Sequence, residues 1–202
     1  ERLRIDSSGR LLVGSTSARA NFFNGSTDPH IQLEGVDTPA STVASIRCSD
    51  NAGSPRFLMG KSRGGSVGSN TIVQHGDTIG VIRWLGADGS DYSQVADVQV
   101  AIDGTPGSND TPGRLMFSTT PDGAQYTSER MRITSSGKVG IGTTRPDQNA
   151  DLTVGAVGAS GTTLIVRSEA RFSGIITAND VTITGFSTVV GAYDINNTSG
   201  RI

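Results

Sequence analysis

The sequence predicts an all-β protein, and three observations predict it. Turn-forming residues punctuate much of the chain between short strand candidates, at Asp28-Pro29, Asp50-Asn51-Ala52-Gly53, Gly86-Ala87-Asp88-Gly89, Asp103-Gly104 and Pro121-Asp122-Gly123. Between them, Val, Ile and Leu alternate with polar residues, the period-two pattern of strands with one apolar face. Finally, a phrase occurs twice: ERLRIDSSGRLLVGST at 1–16 and ERMRITSSGKVGIGTT at 129–144, with nine of sixteen positions identical. Such repetition marks a modular fold.

The elements follow in order. In 1–16, Leu3 and Ile5 alternate with Arg2 and Arg4. Asp6-Ser7-Ser8-Gly9 supplies a turn, and 11–13 returns as a second strand, so the stretch reads as a β-hairpin. A central module, 17–128, holds strand candidates at 30–33, 42–48, 56–59, 71–75, 78–85, 95–102 and 113–118. The second hairpin follows, with Met131 and Ile133 on one face, a turn at Ser135-Ser136-Gly137, then Val139 and Ile141. Gly140 and Gly142 fall on the opposite face, leaving it bare enough for another backbone to approach. A connector, 143–161, carries one strand at 151–154, and Pro146 keeps Arg145 out of a helix. From 162 to 193 the apolar residues are sparse, set among Ser, Thr, Gly and Asn with few charges. This reads as a thin stem that buries its apolar faces only when wound with two further copies of itself. Thr198-Ser199-Gly200-Arg201-Ile202 echoes the start of the phrase once more. The chain does not begin with Met and opens inside a repeat, so it reads as part of a longer protein.

Composition narrows the function classes. Hydrophobic residues at 34% and aromatics at 5% are too few for a thick single core. A net charge of −2 offers nothing to steer the chain towards nucleic acid or an anionic membrane. No apolar run is long enough to insert in a membrane as a helix. Fifteen of the seventeen basic residues are arginines, whose planar fork suits paired, interfacial positions, and a biased genome composition accounts for the count equally well. Cys48 is the single cysteine, so neither a disulfide within the chain nor a cysteine zinc site is expected.

Few residues invite chemistry. Gly64-Gly65-Ser66-Val67-Gly68 matches the spacing of a hydrolase nucleophile elbow. It lacks the strand before, the helix after, and the later acid and histidine that an elbow needs. His30 and His75 are isolated, which argues against a metal site within one chain. Asp88, Asp91, Asp97, Asp103 and Asp110 are close in sequence, and Asp88 with Asp103 could form the carboxylate pair of a glycan-cleaving site. Turn chemistry accounts for both equally well, since each precedes a glycine. Trp84, Tyr92 and Tyr126 are candidate sugar-stacking platforms, with Trp84 equally placed for a core position. The expectation is therefore of no catalytic residue, no cofactor and no metal.

The segment Ser128-Glu129-Arg130-Met131-Arg132-Ile133-Thr134-Ser135-Ser136-Gly137-Lys138-Val139-Gly140-Ile141-Gly142-Thr143-Thr144, with Pro146, resembles one found in many bacteriophage tail-fibre proteins. The stretches 76–89, 103–107 and 112–120 are similar to the same group. Phe172-Ser173-Gly174-Ile175-Ile176-Thr177-Ala178 and 181–188 resemble repeats in fibres of cyanobacterial contractile-tailed phages. The resemblance covers about 70–190; 17–69 match no pattern. It implies an elongated homotrimeric fibre in a virion, assembled in the host bacterial cytoplasm. Hairpin and sandwich- or prism-like modules would precede the intertwined stem, in the order 1–16, 17–128, 129–161 and 162–202. The implied partners are two further copies, other tail or baseplate proteins, and host cell-surface glycan, with no nucleic acid. The implied role is host attachment. The alternatives are a tailspike glycan depolymerase and a non-adhesive neck or baseplate fibre.

Overall fold

The structure is a computed structural model that describes residues 2–19 and 29–155. The expected stem at 162–193 and the third echo at 198–202 lie outside the described residues. Among the described residues every regular element is a strand except one 3₁₀ turn, Pro39–Ser41. The fold is all-β, as the periodicity predicts.

Two sheets are formed. The first joins β1 (Leu3–Ile5), β2 (Leu11–Val13) and β3 (Ile31–Leu33) in that order, β1 and β2 antiparallel and β3 parallel to β2. The second has six strands in chain order: β4 (Thr78–Ala87), β5 (Tyr92–Ile102), β6 (Gly113–Thr119), β7 (Ser128–Ile133), β8 (Val139–Ile141) and β9 (Leu152–Val154). Its strands run antiparallel up to β8, and β9 lies parallel to β8.

Local chemistry closes both repeat hairpins. In the first, the Asp6 carboxylate accepts from the Ser8 and Arg10 amides at 2.9 and 3.0 Å, and Arg10 Nε donates to it at 2.7 Å. Gly9, at φ 76°, supplies the left-handed turn residue that a side chain would strain. In the second, the Thr134 hydroxyl accepts from the Lys138 amide at 3.1 Å, and Gly137 sits at φ 78°.

The repeat extends further than the sequence displays. Leu3 faces Val13 and Ile5 faces Leu11; 128 residues later Met131 faces Ile141 and Ile133 faces Val139. Each hairpin then acquires a parallel third strand in the same register: Leu11 beside Ile31 and Val139 beside Leu152. The unit is thus three-stranded, and its last strand shares no readable phrase between copies. Leu12 and Gly140 occupy equivalent places. Leu12 is fully buried, whereas at Gly140 the Thr143 carbonyl and the Pro146 ring take the room a side chain would fill. That is the close approach the bare glycine face predicts.

Other expectations change. The sheet runs unbroken across the 128/129 boundary, because β7 pairs with β6 as well as β8. The 16/17 boundary is likewise crossed, by the pairing of β2 with β3. The strands expected at 42–48, 56–59 and 71–75 are not strands. Their β-branched and aromatic residues favour extended backbone, but no neighbouring strand lies beside them to complete a ladder.

Period-two alternation and the cross-strand register assign every side chain to a face. On one face of the six-stranded sheet lie Arg83, Asp97, Ser118 and Glu129 in one row, with Val81, Gln99, Met116, Arg132, Gly140 and Thr153 in the next. On the other lie Ile82, Val98, Phe117, Met131, Ile141 and Val154, then Gly80, Val100, Leu115, Ile133, Val139 and Leu152. The buried residues Asp97 and Met116 belong to the first face, whereas none of the twelve in the second pair of rows is buried.

Candidate functional site

The face that carries the charges is the better covered one. Asp97 is 3% exposed, and its Oδ2 accepts from Arg83 Nη2 at 3.2 Å and from the Thr127 hydroxyl at 2.9 Å. Arg132 grips Glu129 through two bonds of 2.6 Å, the bidentate fork that distinguishes arginine from lysine. Glu129 holds the Arg132 guanidinium firmly protonated, raising its pKa against the opposing effect of burial. Gln99 Nε2 donates to the Thr78 hydroxyl at 2.9 Å. Arg83 thus pairs across neighbouring strands and Arg132 along its own strand.

The candidate acids are also bound into structure. Asp88 caps the turn between β4 and β5: its carboxylate accepts from the Asp91 and Ser90 amides at 2.8 and 2.9 Å, and from the hydroxyls of Ser93 and Ser90. Those amide bonds hold its carboxyl well below the ordinary range. At Asp103, burial works against ionisation. The Ser135 amide at 3.0 Å and the Arg114 guanidinium at 3.0 Å outweigh it and keep the pKa lowered. Asp91 accepts from the Tyr92 amide, and Asp110 closes a small loop with Gly107 through paired backbone bonds.

Asp88 and Asp103 are not brought together. The eleven residues of β5 lie between them, which at about 3.3 Å per residue separates the two ends by about 30 Å. A carboxylate pair acting on one glycosidic bond needs about 5–10 Å. The nucleophile-elbow spacing at Gly64, Ser66 and Gly68 falls on an irregular stretch, with no strand before it and no helix after it. There the Ser62 hydroxyl accepts from the Gly64 amide and is hydrogen-bonded to that of Ser69, which reads as loop construction. Arg63 and Lys61 converge on Asp77, at 2.7 and 3.2 Å, anchoring this stretch at the start of β4. Arg63 is the main cause of the strongly lowered Asp77 pKa, with the Gln74 amide next.

His30 and His75 are both exposed, and no group of three metal-ligating side chains occurs among the described residues. Cys48 is exposed. Tyr126 is exposed, while the Tyr92 ring carries the Arg19 guanidinium at 5.3 Å from its centroid. Trp84 is 52% exposed and projects from the same side of β4 as Ile82. A shallow depression of about 470 Å³, lined by Lys61, Ser62, Asn70, Ile72, Ser108 and Thr111 among others, is open to solvent.

The surface feature that sequence reasoning missed is the apolar face. Its two rows cross all six strands and hold eleven apolar side chains, with Gly80 the exception, over which Met59 lies. Ile82 is 49% exposed and Leu152 56%. The three-stranded sheet repeats the pattern: Leu3, Val13 and Leu33 form one row, Ile5, Leu11 and Ile31 the other, and none of the six is buried. Alternation in the sequence revealed these residues, but not that they would remain uncovered.

No protein-family model and no curated protein matches the chain. Its fold is similar to that of solved tail-fibre structures from bacteriophage T5. The carboxy-terminal domain of the L-shaped tail fibre aligns with a TM-score of 0.53 and 16% identity, over 85% of this chain and 68% of that one. The same domain with its intramolecular chaperone aligns with a TM-score of 0.54 and 18% identity, over 91% of this chain and 50% of that one. The chain therefore spans half the length of the second structure. At such identities the likeness is one of fold.

Proposed function

We propose that this chain is a structural segment of a bacteriophage tail fibre, assembled as a homotrimer in the virion, and that it serves host attachment without catalysing a reaction. The observation that carries the reading is the fold likeness to a tail-fibre domain over 85% of the chain. The repeated three-stranded unit supports it, since a fibre gains length by adding modules. Assembly in the host bacterial cytoplasm and placement among the fibres of cyanobacterial contractile-tailed phages belong to the same proposal. The second rests on 172–188, outside the described residues. The module order 1–16, 17–128, 129–161 and 162–202 is kept as a division of the sequence, with the sheets bridging its first two boundaries.

Three copies multiply any weak contact with a host surface glycan by avidity, so attachment does not require a deep pocket. The open depression beside Lys61 and Asn70 is consistent with such shallow contact. A depolymerase is disfavoured by the separation of Asp88 from Asp103. A non-adhesive neck or baseplate fibre remains the alternative.

The test is to decorate particles of the encoding phage with antibodies raised against the chain. Labelling at distal tail fibres, together with binding of the purified protein to host cells, supports the proposal. Labelling confined to the neck or baseplate, without cell binding, favours the non-adhesive fibre. Absence of label from the particle overturns both.

A further inference from the structure

We infer that the apolar face of β4 to β9, together with the matching rows of β1 to β3, is where copies of this chain meet. The inference deepens the fibre proposal and rests on its assembly of copies; it assigns the contact to these strands rather than to the stem.

The first observation is an inversion. An ordinary sheet covers its apolar side and leaves its charges wet. Here Asp97 is buried on the charged side, beside the Arg132–Glu129 pair, while no residue in the two apolar rows is buried. From a strand spacing of about 4.8 Å and about 6.8 Å per pair of residues, two rows over six strands cover about 400 Å² in projection. That matches the largest continuous apolar patch of a typical soluble protein, about 300–600 Å², which is often an interaction site.

The second observation is independent. Phe57 and Leu58 are neighbours in an irregular stretch, and both are exposed, at 84% and 82%. Val43 and Ile46, on the same stretch, are also exposed. Among the described residues, 42–62 form no backbone–backbone hydrogen bond, although the Gly53 amide donates to Asn51 Oδ1 at 3.0 Å.

The chemistry of the face selects its occupant. The two rows contain no charge and no side-chain hydrogen-bonding group, so they offer nothing to recognise a glycan or a nucleic acid. A partner must present an apolar face of equal extent, and present it again at the first module, where Leu3 and Ile5 stand in the register of Met131 and Ile133. A second copy of this chain does both.

Thiol protection tests the inference. In a Cys48→Ser background, a single cysteine is introduced by Ile82→Cys, Ile141→Cys or Ile31→Cys, with Asp122→Cys in an exposed turn as the control. Maleimide reaction is followed natively and in denaturant, and mass is measured on the same samples. The expected result is a multimer whose thiols at 82, 141 and 31 react at least about 100-fold more slowly than the control until it is denatured. A multimer whose face thiols react at the control rate overturns the inference but leaves the fibre proposal standing. A single copy with reactive thiols overturns the inference and the trimer together. A single copy with protected thiols means that the chain covers its own face, and also overturns it. Protection that appears only with phosphatidylcholine vesicles assigns the face to lipid instead. Should a variant fail to fold, the unaltered chain is titrated with an apolar dye: none bound by the multimer supports the inference, and strong binding by the multimer overturns it.

Discussion

The two copies of the three-stranded unit provide a matched pair of substitutions, Gly14→Ala and Gly142→Ala. Both glycines are left-handed, at φ 82° and 69°, so a side chain costs about 1 kcal/mol or somewhat more at either place. The surroundings differ. At Gly142 an added Cβ meets only Gly155, at 3.9 Å, which is ordinary contact. At Gly14 it overlaps the Glu34 carbonyl, which is backbone and cannot swing aside. Moving that carbonyl disturbs the bond from the Glu34 amide to Val13 at 3.0 Å, which holds β3 to β2. Losing it adds about 1 kcal/mol, and backbone distortion adds to that. The expected costs are about 2–3 kcal/mol for Gly14→Ala and about 1 kcal/mol for Gly142→Ala. For a chain of this size the melting temperature should fall by about 4–12 °C and about 2–4 °C respectively. Calorimetry at a single protein concentration, with mass checked in parallel, reads the difference. Equal losses, or a larger loss at Gly142, would refute the assignment of β3 as a partner of β2.

Further outcomes follow from other sites. Leu12→Ala empties the fully buried position of the first sheet and should cost about 3 kcal/mol, read as a lower unfolding midpoint; a change below about 1 kcal/mol would contradict that packing. Asp77, Asp88 and Asp103 all have lowered folded-state pKa values. The stability they supply is complete above the unfolded value of about 3.9 and is lost as pH falls through the folded values. A melting temperature level from about pH 8 to about pH 5 and falling below about pH 4 is therefore expected, and a steep loss near neutrality would contradict it. Asp88→Asn and Asp103→Asn should leave glycan release from host cells unchanged, at background; loss of a measurable release in either would restore the depolymerase.

Legibility in the sequence followed the range of the interactions. The hairpins at 1–16 and 129–144 were readable because Asp6, Gly9, Thr134 and Gly137 build their turns within a few residues. The parallel partners β3 and β9 were not readable as partners, since the register of Ile31 with Leu11 is set by residues twenty positions apart. At 56–59, β-forming composition did not produce a strand, because a strand also needs a neighbour. The Asp88–Asp103 pairing failed on strand length. β5 begins at Tyr92, with an irregularity opposite Trp84 and Leu85, not at Val95, and its full length sets the two acids apart. The apolar alternation through Val98, Phe117 and Met131 was plain, but the same pattern serves a face covered from within the chain and one covered by another copy.

The central claim is that this chain completes its fold by joining copies of itself. Its most direct measurement is the solution mass of the purified chain, by sedimentation equilibrium across a range of concentrations. A mass of three times 20.9 kDa that persists on dilution is the predicted result. A folded single copy of 20.9 kDa would contradict it.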